Sequence, residues 1–360
     1  MKITFFISAL SGGGAERVTC NLANFLSKKG HRVELLTMGE ASPAEPLRNG
    51  IIEIPLLRDK ERRNPLFDNA KRILRLLQYI KKRSVDAYVV MLPIPTILIT
   101  AFSRLTKAPI IMSERADPKI YDKKTQKALR KACKKADGAI FQTDEAKAWY
   151  EPSLKETEWE IIPNAINPSF IRPAYDGERE RTIIGAGRLN EQKNFPLLIS
   201  SFARIAEKFP EYKLVIYGKG SLLESLKNLA KEKGVGGRVE FPGYVPDMPE
   251  RLERASMFVL SSDYEGMPNA LMEAMALGLP CVSTDCSGGG ARFLVKDGEN
   301  GLLVPQRDEK KMAEAMERIL SDTALAERIS TNSRKLQETL APDKIYGEWE
   351  KFILNMIGEK

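Results

Sequence analysis

Apolar residues alternate along this chain between continuous runs and helical spacing. Residues 3–9 read as a continuous run that is apolar apart from Thr4 and Ser8, the pattern of a parallel strand buried on both faces. A tight loop at 11–14 follows. Val18, Leu22, Phe25 and Leu26 then recur at helical spacing within 16–29, ahead of Gly30, and 33–38 reads as strand again. The rhythm predicts a helix over 69–83, strands at 87–92 and 110–113, a helix over 123–136 and a strand at 138–142. Strands and helices in strict alternation predict a doubly wound parallel sheet.

The pattern breaks near Pro163. Pro163, Asn164, Pro168, Pro173 and Gly177 lie in a polar stretch that reads as a linker. A second series begins beyond it: strand 182–187, helix 196–208, strand 213–217, helix 222–233, strands 239–241 and 257–261, a helix after Pro268, and strand 280–284. Two similar halves suit 360 residues, too many for one ordinary core. The division expected is 1–170 and 171–342, with a functional cleft where the halves face each other. The last amphipathic stretch, 343–360 with Trp349 and Phe352, has no strand to serve and is expected to return to the first half.

Composition narrows the options. No apolar run approaches the roughly 20 residues that span a bilayer, and 3–10 is read as a buried first strand rather than a secretion signal. Cys20, Cys133, Cys281 and Cys286 make no Cys-x-x-Cys pair, and His31 is the one histidine, so zinc is not expected. A reduced cytoplasmic setting fits these cysteines. Charge is uneven: residues 1–170 hold 29 Lys/Arg against 19 Asp/Glu, whereas the rest hold 27 against 29. The positive excess sits on the N-terminal half, which suits an anionic partner.

The densest candidate chemistry lies at 261–273. A strand ends at Ser261 and Ser262, a loop carries Glu265, Gly266, Met267 and Pro268, and a helix follows with Asn269 as its cap, then Ala270 and Glu273. Free N–H groups and a partial charge of about +0.5 make such a helix start suitable for phosphate. Glu265 and Glu273 can accept from hydroxyls, Glu273 from a ribose and Glu265 from a sugar. At 185–194, Gly187 permits close backbone approach, and Arg188 with Lys193 supplies two cations for a departing diphosphate.

In order along nearly the whole chain stand the Gly-rich first loop, Pro163-Asn164-Ala165, Gly187-Arg188 with Lys193, Gly218-Lys219-Gly220, Gly243-Tyr244-Val245, Glu265-x7-Glu273 and the segment 297–304. Together they resemble the retaining glycosyltransferases of family 4, which share the GT-B fold of two Rossmann-like domains. The resemblance implies that Arg188 and Lys193 bind the donor diphosphate, Glu273 the ribose and Glu265 the transferred sugar. Backbone near Gly218 and Val245 would hold the base, and Gly13 and Gly14 would approach the diphosphate and acceptor. It implies transfer of a hexose or N-acetylhexosamine from a nucleotide sugar, a UDP-sugar by family habit. The acceptor would be a glycan carried on a polyprenyl diphosphate, in bacterial surface polysaccharide or glycoprotein oligosaccharide assembly. One departure is Arg115, within 113–118, where many relatives carry histidine. Arg115 cannot act as a base at a pKa above about 12; it would bind the acceptor or the donor sugar instead, and it and Glu114 are assigned to the acceptor side.

Two basic helices account for the charge excess. Lys127, Arg130, Lys131 and Lys134 share a face of the helix over 123–136, and Lys71, Arg72, Arg75, Lys81, Lys82 and Arg83 mark the earlier one. They are expected to meet a lipid-linked acceptor or anionic headgroups on the cytoplasmic face of the inner membrane. No Asp-x-Asp triplet appears, so neither a metal nor a further cofactor is called for. Nearer rivals are a GT-B epimerase or phosphorylase. An NAD-dependent oxidoreductase lacks the third glycine of its fingerprint here. Nothing resembles a nucleic-acid docking element, so no nucleic-acid partner is expected.

Overall fold

The computed structural model describes residues 1–40, 42–43 and 45–358. The chain divides into two compact units, Met1–Ala165 with Asp343–Lys360, and Ile166–Pro342. The division precedes the 170/171 boundary read from the turn residues. Ile166 N donates to the Leu340 carbonyl at 3.0 Å, which ties the intervening turn to the second unit.

The first unit runs β1 (Lys2–Ile7), α1 (Gly14–Lys28), β2 (Arg32–Thr37), β3 (Ile52–Pro55), α2 (Pro65–Lys82), β4 (Ala87–Met91), α3 (Pro93–Ala101), β5 (Ile110–Ser113), α4 (Lys123–Cys133), β6 (Gly138–Phe141), α5 (Asp144–Tyr150) and β7 (Glu158–Ile161). All seven strands are parallel in the order β3-β2-β1-β4-β5-β6-β7. Ile3 of β1 pairs with Val33 on one side and Ala87 on the other, so β1 is an interior strand, and its residues 3–7 are buried on both faces. The largely apolar run at 3–9 required that. β3 and β7 are short edge strands of half-exposed alternating residues, so no apolar run announced them. α2 starts at Pro65, earlier than the periodicity implied, because Asn64 accepts from Phe67 N at 2.9 Å and caps it.

The second unit runs β8 (Glu180–Ala186), α6 (Phe195–Ile205), β9 (Lys213–Tyr217), α7 (Leu223–Glu232), β10 (Val239–Gly243), α8 (Met248–Arg254), β11 (Ala255–Leu260), α9 (Asn269–Ala276), β12 (Cys281–Thr284), α10 (Gly290–Leu294), β13 (Leu302–Val304), α11 (Glu309–Ser321), α12 (Thr323–Ser333) and α13 (Leu336–Thr339). Its six parallel strands stand in the order β10-β9-β8-β11-β12-β13. The reversal of direction between β8 and β11 is the topological switch point, where the carboxyl ends of strands splay and ligands bind in such sheets.

The chain ends in α14 (Pro342–Gly358), which belongs to the first unit. Trp349 is fully buried there, Tyr346 stacks on Phe25 at 5.5 Å, and Phe352 lies against Gly138. His31 Nε2 sits 2.9 Å from Glu350 Oε1, so the one histidine anchors this helix. Residues 359 and 360 of the stretch expected at 343–360 lie outside the described residues.

Candidate active site

Three loops at the carboxyl ends of β8, β11 and β12 meet in the second unit. Gly187 ends β8 with φ 153°, and a Cβ there would come within 2.8 Å of Lys193 Cε. Glycine therefore lets the Lys193 stem lie across the backbone. The same strand end fits against its neighbour because Gly218 has no side chain; a Cβ there would overlap the Gly187 carbonyl.

Lys193 reaches Glu265. Its Nζ donates to Glu265 Oε1 at 2.6 Å, Ser262 Oγ donates to the same oxygen at 2.7 Å, and Gln192 Nε2 approaches Oε2 at 3.4 Å. Glu265 is 7% exposed, and its carboxylate is compensated by a cation and two neutral donors rather than by water. Backbone bonds fix the loops that carry it: Asp263 N to Gln192 O at 2.9 Å and Glu265 N to Ser287 O at 2.9 Å. The Asp263 carboxylate accepts from Asn194 at 2.9 Å and Arg307 at 2.7 Å, which ties β11 to the start of α6. Beside Glu265, burial pushes the Cys286 thiol up to about 12, so it is not a nucleophile at neutral pH.

Glu273 lies one turn into α9 and is 6% exposed. The helix begins one residue earlier than the cap reading proposed: Pro268 occupies the N-cap position and Asn269 is the first helical residue. Pro268 offers no capping side chain, so the free N–H groups of the first turn depend on other acceptors. Gly266 crosses the start of α10 so closely that a Cβ on Gly290 would overlap its carbonyl. Met267 is buried, while Gly266, Asn269 and Ala270 are half-buried. Arg188 is exposed and its guanidinium has no acceptor among the described residues. Val245 is half-buried just past β10, where Gly218 N bonds to Gly243 O at 2.9 Å. The second unit thus gathers Arg188, Lys193, Glu265 and the α9 start about one sheet edge. Gln192 and Ser262, the other partners of Glu265, were not singled out in sequence. Their proximity in the motif segments was the available signal.

Segment 297–304 has a structural job. Asp297 Oδ1 accepts from Leu303 N at 2.9 Å and Asn300 Oδ1 from Lys296 N at 2.7 Å, shaping the turn into β13.

In the first unit, Gly13 caps α1 in extended conformation and Gly14 opens it. Glu114 departs from its expected place on the acceptor side. It is 4% exposed and accepts from Tyr150 Oη at 2.6 Å, Tyr121 Oη at 3.3 Å and the amides of Arg115 and Ala116. Its carboxylate is consumed in shaping the loop after β5. Burial pushes this carboxyl up, against the pull of those donors. Arg115 is buried as well: it donates to Asn164 Oδ1, lies 5.9 Å over the Trp349 ring, and leaves Nε without a partner. Burial lowers its pKa to about 10, so it stays a cation. Lys127 and Lys131 on α4 and Lys134 just past its end are exposed, and Arg130, also exposed, is stacked 4.1 Å over Trp149. α4 stops at Cys133, short of the expected 136.

Comparisons with known proteins agree on one family. Residues 170–336 match the family model "Glycosyl transferases group 1", and 12–170 match "Glycosyltransferase Family 4". A glycosyltransferase of Haemophilus influenzae is 29% identical over 97% of this chain and 99% of its own. The GalNAc-alpha-(1->4)-GalNAc-alpha-(1->3)-diNAcBac-PP-undecaprenol alpha-1,4-N-acetyl-D-galactosaminyltransferase of Campylobacter jejuni is 27% identical over 98% of each chain. Among solved structures, sucrose-phosphate synthase from Thermosynechococcus elongatus superposes with TM-score 0.87 over 99% of each chain at 19% identity. HepE of Anabaena, in complex with UDP, gives 0.84 over 99% of this chain and all of that one, at 16% identity. At such identities the structures speak for the fold.

Proposed function

Because the chain belongs to the family 4 glycosyltransferases of the GT-B fold, we propose that it is a retaining enzyme moving a hexose or N-acetylhexosamine from a UDP-sugar to a lipid-linked glycan. The observation that carries the proposal is the placing of Lys193 against Glu265, 2.6 Å apart, with Arg188 exposed nearby in the loop after β8. Arg188 and Lys193 take the donor diphosphate, Glu265 the sugar hydroxyls, Glu273 the ribose, and backbone at Gly218 and Val245 the base. The α9 start, Gly266 to Ala270, takes the phosphates at the positive end of the helix. As the C1–O bond to the diphosphate breaks, Arg188 and Lys193 stabilise the developing charge. The acceptor hydroxyl attacks C1 from the same face and passes its proton to the departing phosphate oxygen, so no protein base is needed and Arg115 in place of histidine is compatible with turnover.

The acceptor class rests on the activities of that Campylobacter jejuni relative and of a second one, 28% identical over 98% of this chain and 99% of its own, both transferases to undecaprenol-diphosphate-linked sugars. Lys127 and Lys131 on α4 and Lys134 just past its end, with Arg130 beside Trp149, form the surface for an acceptor diphosphate. Arg115 holds the loop after β5 that faces the acceptor. The chain acts peripherally on the cytoplasmic face of the inner membrane; no helix among the described residues is long and apolar enough to cross it.

Incubation with a panel of UDP-sugars, with and without undecaprenyl-diphosphate-linked acceptors, tests this reading. UDP released only when acceptor is present, with an elongated product, supports it. Free epimerised sugar, or release independent of acceptor, favours an epimerase.

A further inference from the structure

The site in the second unit leaves unused a second concentration of charge, at the outer edge of the first unit's sheet. A cleft of 520 Å³ opens between β3 and α2. Arg58, Lys60, Arg75, Lys82 and Arg83 line it against one acid, Glu61. Two of these cations are engaged. Arg75 grips Glu61 at 2.6 and 2.7 Å, and Arg83 reaches the buried Glu34 at 2.7 Å. Arg58, Lys60 and Lys82 are exposed, and their side-chain cations have no acidic partner among the described residues, although the Arg58 amide donates to Glu61 at 3.0 Å. The cleft therefore carries a net positive charge with three uncommitted cations at its rim.

The adjoining flank of α2 is apolar and faces solvent. Leu66, Ala70, Ile73, Leu74 and Leu77 recur at three- and four-residue spacing, hence on one face. Leu66 is 84% exposed and Leu74 60%. The helix turns a different side to the core, with Leu76, Tyr79 and Ile80 buried. At about 100° per residue, Gln78 and Lys82 stand between the apolar stripe and the cleft. Isolated exposed leucines are ordinary, but a contiguous stripe marks a binding surface. α4 offers no such combination: its cations are exposed, while Leu129, Ala132 and Cys133 are buried.

An apolar stripe flanked by unpaired cations matches the boundary of an anionic bilayer, where acyl chains and phosphates lie side by side. We propose that the outer face of α2 and the β3–α2 cleft dock this chain on an anionic phospholipid surface, the cleft receiving a headgroup phosphate and Leu66, Ile73 and Leu74 entering the acyl boundary. The inference rests on the lipid-linked acceptor proposed above and names the surface through which the enzyme reaches it.

Flotation of the full chain tests it, using vesicles of phosphatidylcholine with phosphatidylglycerol and vesicles of phosphatidylcholine alone. Wild type is expected to float with the first and stay behind with the second. Leu66→Ser/Leu74→Ser and Lys60→Glu/Lys82→Glu are each expected to lower binding about tenfold at moderate salt, with unchanged UDP affinity by calorimetry. Lys127→Glu/Lys131→Glu/Lys134→Glu is expected to lower it less than either. Wild type ignoring anionic vesicles, both α2 variants floating undiminished, or the α4 reversal having the largest effect would each overturn the proposal. Saturable binding of inorganic pyrophosphate without vesicle binding would overturn it in favour of a free phosphate ligand. Failure of wild type to bind UDP counts instead against the donor reading, and leaves the vesicle result to be judged by itself.

Discussion

Lys193 Nζ lies 2.6 Å from Glu265 Oε1, with the two side chains 15% and 9% exposed. The cation proposed for the donor diphosphate and the carboxylate proposed for its sugar thus hold each other. A donor has to share or divide this pair on entering, which couples recognition of its phosphate to recognition of its sugar. Removing one partner leaves the other charge nearly buried. Lys193→Met and Glu265→Gln are each expected to cost about 3 kcal/mol in urea unfolding. The double variant is expected to cost less than their sum, because the lost pairing is counted once. Additive losses would mean that the pair contributes nothing in solution.

Glu273 and Glu265 are expected to separate kinetically. If Glu273 takes the ribose as proposed, Glu273→Gln weakens that charge-assisted bond and should raise the UDP dissociation constant about tenfold or more, as read by calorimetry. Glu265→Gln should leave UDP affinity within about threefold and lower kcat by about 100-fold, the scale of losing one group that acts in the transition state. Equal effects on UDP affinity would merge the two roles.

Gly290→Ala is a test of loop placement without any change of charge. The new methyl meets the Gly266 carbonyl, so the loop bearing Glu265 has to shift. A loss of about 1–3 kcal/mol in stability and weaker UDP binding are expected. Wild-type affinity would show that the loop relaxes without disturbing the site.

How much of this was legible beforehand differs between elements. β1, β4, β8 and β11 were plain because each has a buried, mostly apolar stretch, as a strand covered on both faces requires. β3 and β7 were not, since an edge strand has one neighbour and can be half polar. Glu265 and Lys193 could be found by motif, yet no spacing rule predicts that side chains 72 positions apart will meet. Glu114 misled for a related reason. It was assigned to the acceptor side, and no local pattern announces that Tyr121 from the loop before α4 and Tyr150 from the end of α5 join the Arg115 and Ala116 amides in making its burial tolerable.

Trp349 shows how a late segment completes an early unit. It is fully buried and offers its ring to Arg115 at 5.9 Å. Trp349→Ala is expected to destabilise the protein by about 3–5 kcal/mol, measured by urea unfolding. A loss under about 1 kcal/mol would mean that α14 is not integral to the first unit.

Glu114 should give the stability a recognisable pH dependence. Burial raises its folded pKa above the ordinary 4.5, so the folded state binds its proton more tightly than the unfolded state does. That contribution is fully present below the unfolded value and is lost as pH rises through the folded one. Glu114→Gln has no such titration. The stability advantage of wild type over this variant is therefore expected to shrink as pH rises above about 4.5, in thermal unfolding followed across pH. An advantage that grows with pH would reverse the sign and place an ionised, well-satisfied carboxylate at this site.

The central claim is transfer from a UDP-sugar through the Lys193–Glu265 site. The most direct measurement is the rate of UDP release from a radiolabelled UDP-sugar in the presence of an undecaprenyl-diphosphate-linked acceptor, compared between wild type and Glu265→Gln. The account predicts acceptor-dependent release with label appearing in the lipid-linked product, slowed by about 100-fold in the variant. Equal rates in the two proteins, or release with no label in the product, would contradict it.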